Sequence, residues 1–135
     1  NLGTMKTKNA VKESEKVISA FEVKTPGTST LATALSGGNQ QKFVVGRELE
    51  DDPSLLIASQ PTRGIDIGAQ ALIWEKLRKS RDEGLSVLLI SADLEELIGL
   101  SDRIIVFYQG KLVKELDAKN VTPEDLGGYM TGLKK

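Results

Sequence analysis

Leu35-Ser36-Gly37-Gly38-Asn39-Gln40-Gln41-Lys42 is the stretch on which the reading of this chain turns. Two adjacent glycines let a backbone come close to a ligand, and Ser36 is a residue type that starts helices. The pattern predicts a helix beginning at or just beyond Ser36 and running from Asn39 to Leu49. The start of such a helix turns free N–H groups and the positive end of its dipole outward, which suits phosphate. Ser-Gly-Gly alone is also an ordinary helix start. The longer Leu-Ser-Gly-Gly, with Gly near 7% on average, is expected by chance in well under about 1% of chains this size.

Upstream, Asn9 to Phe21 is polar, with Val11, Ile18 and Phe21 spaced to share one helix face. Thr25 to Thr30, broken by Pro26 and Gly27, reads as a loop. Downstream, Asp51-Asp52-Pro53 ends the helix that follows the glycines, and Leu55 to Ala58 reads as a buried strand. A helix follows from Ile67 to Arg81, with Leu72, Ile73 and Leu77 inward and Glu83-Gly84 as its stop. Val87 to Ile90 is a second strand, Asp93 to Leu100 a helix, and Ile104 to Phe107 a third strand. Gln109-Gly110 turns the chain into Lys111 to Leu116 as a hairpin. Thr122 and Pro123 cap and open a last helix. Apolar strands alternating with helices make an α/β fold, with a largely parallel sheet buried on both faces and a terminal antiparallel hairpin.

Composition narrows the function classes. The chain has 135 residues, 39% hydrophobic and 27% charged, with Lys+Arg 18 against Asp+Glu 19. That balance lacks the excess of positive charge that a nucleic-acid footprint would need. No apolar run reaches the roughly 18 residues that cross a bilayer. There is no Cys, which excludes disulfides and thiolate metal sites, and no His, which excludes an imidazole base. The start at Asn1, without Met, reads as a piece cut from a longer polypeptide.

Order and spacing then point to a family. After the signature stretch come the strand at Leu55, Pro61-Thr62-Arg63-Gly64-Ile65-Asp66, a helix, the strand at Val87, Ser91-Ala92-Asp93 and Ser101-Asp102-Arg103-Ile104. In sequence this resembles the signature, Walker B strand, D-loop, switch region and following strand of ATP-binding cassette (ABC) ATPases, from Leu35 to Leu116. The resemblance implies part of a P-loop NTPase domain. Residues 1–34 would be part of its helical subdomain, and 35–135 the C-terminal part of the nucleotide-binding domain. Asn-Gln-Gln-Lys after the glycines and Pro-Thr-Arg-Gly-Ile-Asp are similar to simple-sugar and nucleoside importers, which carry two ATPase domains in one polypeptide. Ser59-Gln60-Pro61-Thr62 looks most like the second domain of the nucleoside type, with sugar still open.

Against that pattern, something is missing and something is altered. No G-x-x-x-x-G-K-[ST] occurs, so there is no phosphate loop and the Walker A half is absent; no nucleotide is expected to bind tightly to this chain alone. Where the family has Asp then Glu at the end of the Walker B strand, this chain has Ser59 and Gln60, and the switch His is Ala92. Ser59 and Gln60 do not ionise, so a metal loses an anionic partner and a water its base, worth about 10² to 10⁴ in rate. Gln60 can still orient a water. No catalytic residue and no metal ligand are assigned.

The resemblance implies that Ser36, Gly37, Gly38, Asn39 and Gln40 act in trans, closing on an ATP held by another domain. Asn39 stands where the commonest signature has Gln, so its ribose contact is open. Asp66 would communicate across the interface. ATP and Mg²⁺ are the cofactors implied for the full-length protein. Implied partners are transmembrane permease subunits, the first nucleotide-binding domain of the same polypeptide and, indirectly, an extracytoplasmic substrate-binding protein, with no nucleic acid. The place implied is the cytoplasmic face of the membrane. The rival is a soluble ABC ATPase acting on nucleic acid or ribosomes. Arg63 is either a solvated charge or an interface residue, Trp74 reads as packing, and Lys6, Lys8, Lys12 and Lys16 read as a solvated face. Asp93, Glu95 and Glu96 read as a helix-start charge preference.

Overall fold

The computed structural model describes residues 7–134; Lys6 of the expected basic face lies outside the described residues. Its elements run α1 (Thr7–Ala20), α2 (Gly37–Glu50), β1 (Leu55–Ser59), α3 (Ile67–Asp82), β2 (Ser86–Ile90), α4 (Leu94–Leu100), β3 (Arg103–Tyr108), β4 (Lys111–Asp117) and α5 (Pro123–Met130). They form two compact units. One comprises residues up to Leu56 with Pro61–Val87, the other Ile57–Gln60 with residues from Leu88 onward.

The first unit is built where α1 crosses α2. Val17 and Phe21, one helical turn apart, are buried, as is Val45 of α2. They close over Gly46, where an added Cβ would stand 2.7 Å from both Val17 Cγ1 and Phe21 Cδ2. The inward face expected from Val11, Ile18 and Phe21 is therefore corrected. Val11 is exposed near the free end of α1, and Val17 takes its place. Beyond α1 the chain reverses through Glu22 at φ 51, with Val23 N–H donating to Ile18 O and Glu22 N–H to Ser19 O. That is the Schellman stop normally made with glycine. Ile73 and Leu77 of α3 are buried as expected, and Leu72 is half-buried. Gly84, at φ 111, ends α3 with Gly84 N–H on Arg81 O and Leu85 N–H on Ser80 O.

The second unit has its core in Leu97, Ile104, Val106, Ala118 and Leu126, which joins α4, α5 and the β3–β4 hairpin. The hairpin is antiparallel with a bulge where β4 passes Val106/Phe107. Gln109 and Gly110 turn it with φ 47 and φ 74, the paired positive angles of the two-residue turn that matches strand twist. Thr122 caps α5 by accepting from Asp125 N–H, with Pro123 in the first turn. Among the described residues, no helix is long and apolar enough to cross a membrane.

β1 and β2 form a two-stranded sheet separate from the hairpin. Ser86 N–H donates to Ser54 O at their starts and Gln60 N–H to Ile90 O at their ends, so they run parallel, as a strand–helix–strand unit requires. Burial on both faces was expected; it holds on one only. Ala58 is buried, and Leu56, Val87 and Leu89 are half-buried. On the other face Leu55, Ile57, Leu88 and Ile90 are 54, 61, 51 and 50% exposed. Both faces of these strands are apolar, but among the described residues only one of them is covered.

Candidate functional site

The signature stretch forms the tip of α2. Ser36 is its N-cap, with extended backbone, and its Oγ accepts from Asn39 N–H at 3.4 Å and from Asn39 Nδ2 at 2.9 Å. A hydroxyl has two acceptor lone pairs and one proton. Both lone pairs are used here, so the proton of this exposed Ser36 is left to donate outward. Gly37 and Gly38 occupy the first helical positions, whose N–H groups have no acceptor within a helix.

Two of the motif's three amide side chains, those of Asn39 and Gln40, bond back onto the chain. Asn39 also accepts from Lys24 N–H through Oδ1 at 2.9 Å, tying the tip to the segment after α1. Gln40 donates from Nε2 to Leu35 O at 2.9 Å. Asn39 is thus a brace across the tip, a role its spacing did not suggest. Lys42 is buried and donates from Nζ to Glu22 O at 2.7 Å, pinning the left-handed turn to α2. A cationic residue on an otherwise inward helical position was the signal available in the sequence.

Asp66 belongs to the same unit. It caps α3, its Oδ1 accepting from Ala69 N–H at 2.9 Å. That bond, with lesser help from the Gly68 amide and the charge of Lys42, holds its carboxyl below the ordinary carboxylate value. Gly38 lies against it: a Cβ there would stand 2.8 Å from Asp66 Oδ2 and 3.0 Å from Ala69 Cβ. Gly37 faces more open space, meeting only Gly64 O at 4.0 Å. Ser36, Gly37, Gly38 and Asp66 are therefore brought together. The capping role of Asp66 was legible in Asp-Ile-Gly-Ala before a helical run. In the loop leading to it, Pro61 and Thr62 are buried and Arg63 is exposed.

The second unit brings together Ser59, Gln60 and Ala92, at the C-terminal ends of β1 and β2, where α/β sheets hold their ligands. Gln60 takes a left-handed φ of 51 and accepts from Ala92 N–H through Oε1 at 3.4 Å. Ser59 is exposed. The nearby carboxylate of Asp93 is spent on capping α4, accepting from the N–H groups of Glu95 and Glu96. Glu95 and Glu96 stand in the first turn of α4, the helix-start placement expected of this acidic run, and Glu96 is in addition buried at 1% exposure. Trp74 is half-buried, with the Arg78 guanidinium 5.7 Å from its ring centre.

No family model matches the chain. It is 44% identical over 131 residues to a guanosine import ATP-binding protein of Bacillus subtilis, covering 97% of this chain and 26% of that protein. It is 48% identical over 120 residues to a glucose import ATP-binding protein of Haloferax volcanii, covering 87% of this chain and 22% of that one. The chain thus spans about a quarter of the length of the curated relatives it matches. Among solved structures, a dimeric ATP-binding cassette in a post-hydrolysis state with ADP and Pi superposes with a TM-score of 0.73 at 24% identity. That match covers 90% of this chain and 52% of the cassette. The fold is that of about half of such a cassette, and its elements here include a parallel strand pair with its crossover helix, then a hairpin. The chain belongs to the ATP-binding cassette family, and its relatives there are ATP-binding proteins of nucleoside and sugar import.

Proposed function

We propose that this chain is the C-terminal part of the second nucleotide-binding domain of an importer's ATP-binding subunit, and that its signature tip completes an ATP site built on another domain. In this reading residues 1–34 belong to the helical subdomain and 35–135 to the nucleotide-binding domain proper. The observation that carries it is Ser36: its exposed Oγ accepts twice from Asn39, which leaves its proton to donate, and it stands beside two helix-start amides. A hydroxyl donor beside the first amides of a helix suits a phosphoryl oxygen. Ser36 would donate its hydroxyl proton to the γ-phosphate, and the Gly37 and Gly38 amides would share the remaining negative charge. Asn39 and Gln40 would hold the tip, Asn39 accepting from Lys24 N–H and Gln40 donating to Leu35 O.

The chain's own site is silent in this reading. Neutral Ser59 and Gln60 and the methyl of Ala92 offer no anionic oxygen for Mg²⁺ and no proton acceptor for water. Asp93 caps α4 through Oδ1, and among the described residues no group of three or more carboxylates gathers that could hold a metal. The residues do not fit a metal there, and no step passes through one. The nucleotide and any Mg²⁺ would belong to the facing site.

The relatives' names support transport of nucleosides or sugars over a soluble nucleic-acid or ribosome ATPase. Transmembrane permease subunits, a first nucleotide-binding domain in the same polypeptide and an extracytoplasmic substrate-binding protein are the partners proposed, at the cytoplasmic face of the membrane. The test is ATP hydrolysis by the full-length subunit assembled with its permease. Ser36→Ala should lower the rate by about 10² to 10³, the cost of one positioned donor. Ser59→Asp should leave it nearly unchanged. A rate indifferent to Ser36 but raised or abolished by Ser59→Asp would refute the assignment.

A further inference from the structure

The two glycines of the tip have different neighbours, and the difference assigns them different work. At Gly37 a side chain would meet nothing nearer than Gly64 O at 4.0 Å. At Gly38, which is buried, it would collide with Asp66 Oδ2 at 2.8 Å and press on Ala69 Cβ at 3.0 Å. A collision with a side-chain end is usually relieved by rotation. Here rotation has a cost, because Asp66 Oδ1 accepts from Ala69 N–H at 2.9 Å and turning the carboxylate away from Gly38 would break that cap.

We infer that Gly38 is a positioning residue: its bare Cα is the seat on which the capping carboxylate of Asp66 and the first turn of α3 rest. The tip of α2 and the start of α3 then form one mechanical piece. A push on Ser36 or Gly37 reaches Asp66 through the contact at Gly38, and Gly37 is left as the glycine with open space beside its Cα. Under the proposed function, a nucleotide touching the tip would thereby orient the 61–66 loop; that consequence rests on the nucleotide reading, whereas the seat itself does not.

The experiment uses the 135-residue chain without nucleotide, so its failure and that of the ATP reading are separable. Two quantities are followed by NMR: titration of the Asp66 carboxyl, and hydrogen exchange of the residue 69 amide. The charged group that faces Asp66 from α2 is Lys42, which is kept in every variant. Gly37→Ala should leave both quantities as in the parent. Gly38→Ala should move the Asp66 titration up toward its ordinary value of 3.8 and speed exchange at residue 69 about fivefold, the equivalent of losing one capping bond. Gly38→Ala/Ala69→Gly, which removes one of the two obstructions, should recover part of both effects. If Gly38→Ala does not fold, the double variant carries the measurement. The inference is overturned if Gly38→Ala matches Gly37→Ala in both readouts, or if the double variant is no closer to the parent than the single, unfolded included.

Discussion

Removing the ammonium of Lys42 while keeping its length, as Lys42→Met does, isolates the bond that pins the reversal after α1. Lys42 is 9% exposed, and its Nζ lies 2.7 Å from Glu22 O. Glu22 is in the left-handed region at φ 51, a conformation that costs a side-chain-bearing residue about 1–2 kcal/mol and must be held by its surroundings. A hydrogen bond to a charged group contributes about 1.5–3 kcal/mol net, and the methionine leaves the carbonyl without its donor. A loss of about 2 kcal/mol is expected. With a urea slope of about 2 kcal/mol per molar, the unfolding midpoint should fall by about 1 M with the slope unchanged. The exposed pair Lys16–Glu50, at 2.9 Å, is the control: Lys16→Met should barely move the midpoint, because solvent screens it. Equal shifts in the two variants, or a smaller one for Lys42→Met, would refute the argument that burial makes this bond count.

Gly46→Ala should cost about 1–3 kcal/mol by overpacking against Val17 and Phe21, seen as a lowered thermal midpoint. Gly110→Ala, at φ 74 in the hairpin turn, should cost about 1 kcal/mol by denaturant titration, whereas Gly27→Ala, which meets nothing within 4 Å, should be near neutral. Acid should destabilise the chain in a definite window. Asp66, held down by the Ala69 amide, and Asp125, held down by Lys134, both have folded pKa values below 3.8, so each binds its proton less readily folded than unfolded. The stability they lend is complete above 3.8 and is lost as pH falls through their folded values. Asp66→Asn should flatten that fall in an acid titration followed by circular dichroism, and an unchanged profile would contradict it.

The elements themselves were legible because each carries its own punctuation. Ser36, Asp93 and Thr122 start helices by capping bonds that any Ser, Asp or Thr in those positions can make, and Gly84 ends one with a left-handed turn. The tip of α2 was legible in the same local terms. What periodicity could not supply was partnership across the chain. Val17 outranks Val11 because Gly46, 29 positions further on, provides the hollow it fills. Asn39 becomes a brace only because the Lys24 amide is carried to it by the reversal at Glu22. Glu96 reads only as a helix-start charge, and its burial comes from the packing of its unit. The sheet was over-read for the same reason: apolar runs state what would be content under cover, not what covers them.

The uncovered side of β1 and β2 has a practical consequence for anyone handling this polypeptide. Leu55, Ile57, Leu88 and Ile90 lie side by side with half or more of their area in water. Sulfate and other salts excluded from protein surfaces will strengthen self-adhesion there. Purification should therefore go best dilute and at low concentrations of such salts, and an environment-sensitive fluorophore should light up on the folded protein as well as on the unfolded one.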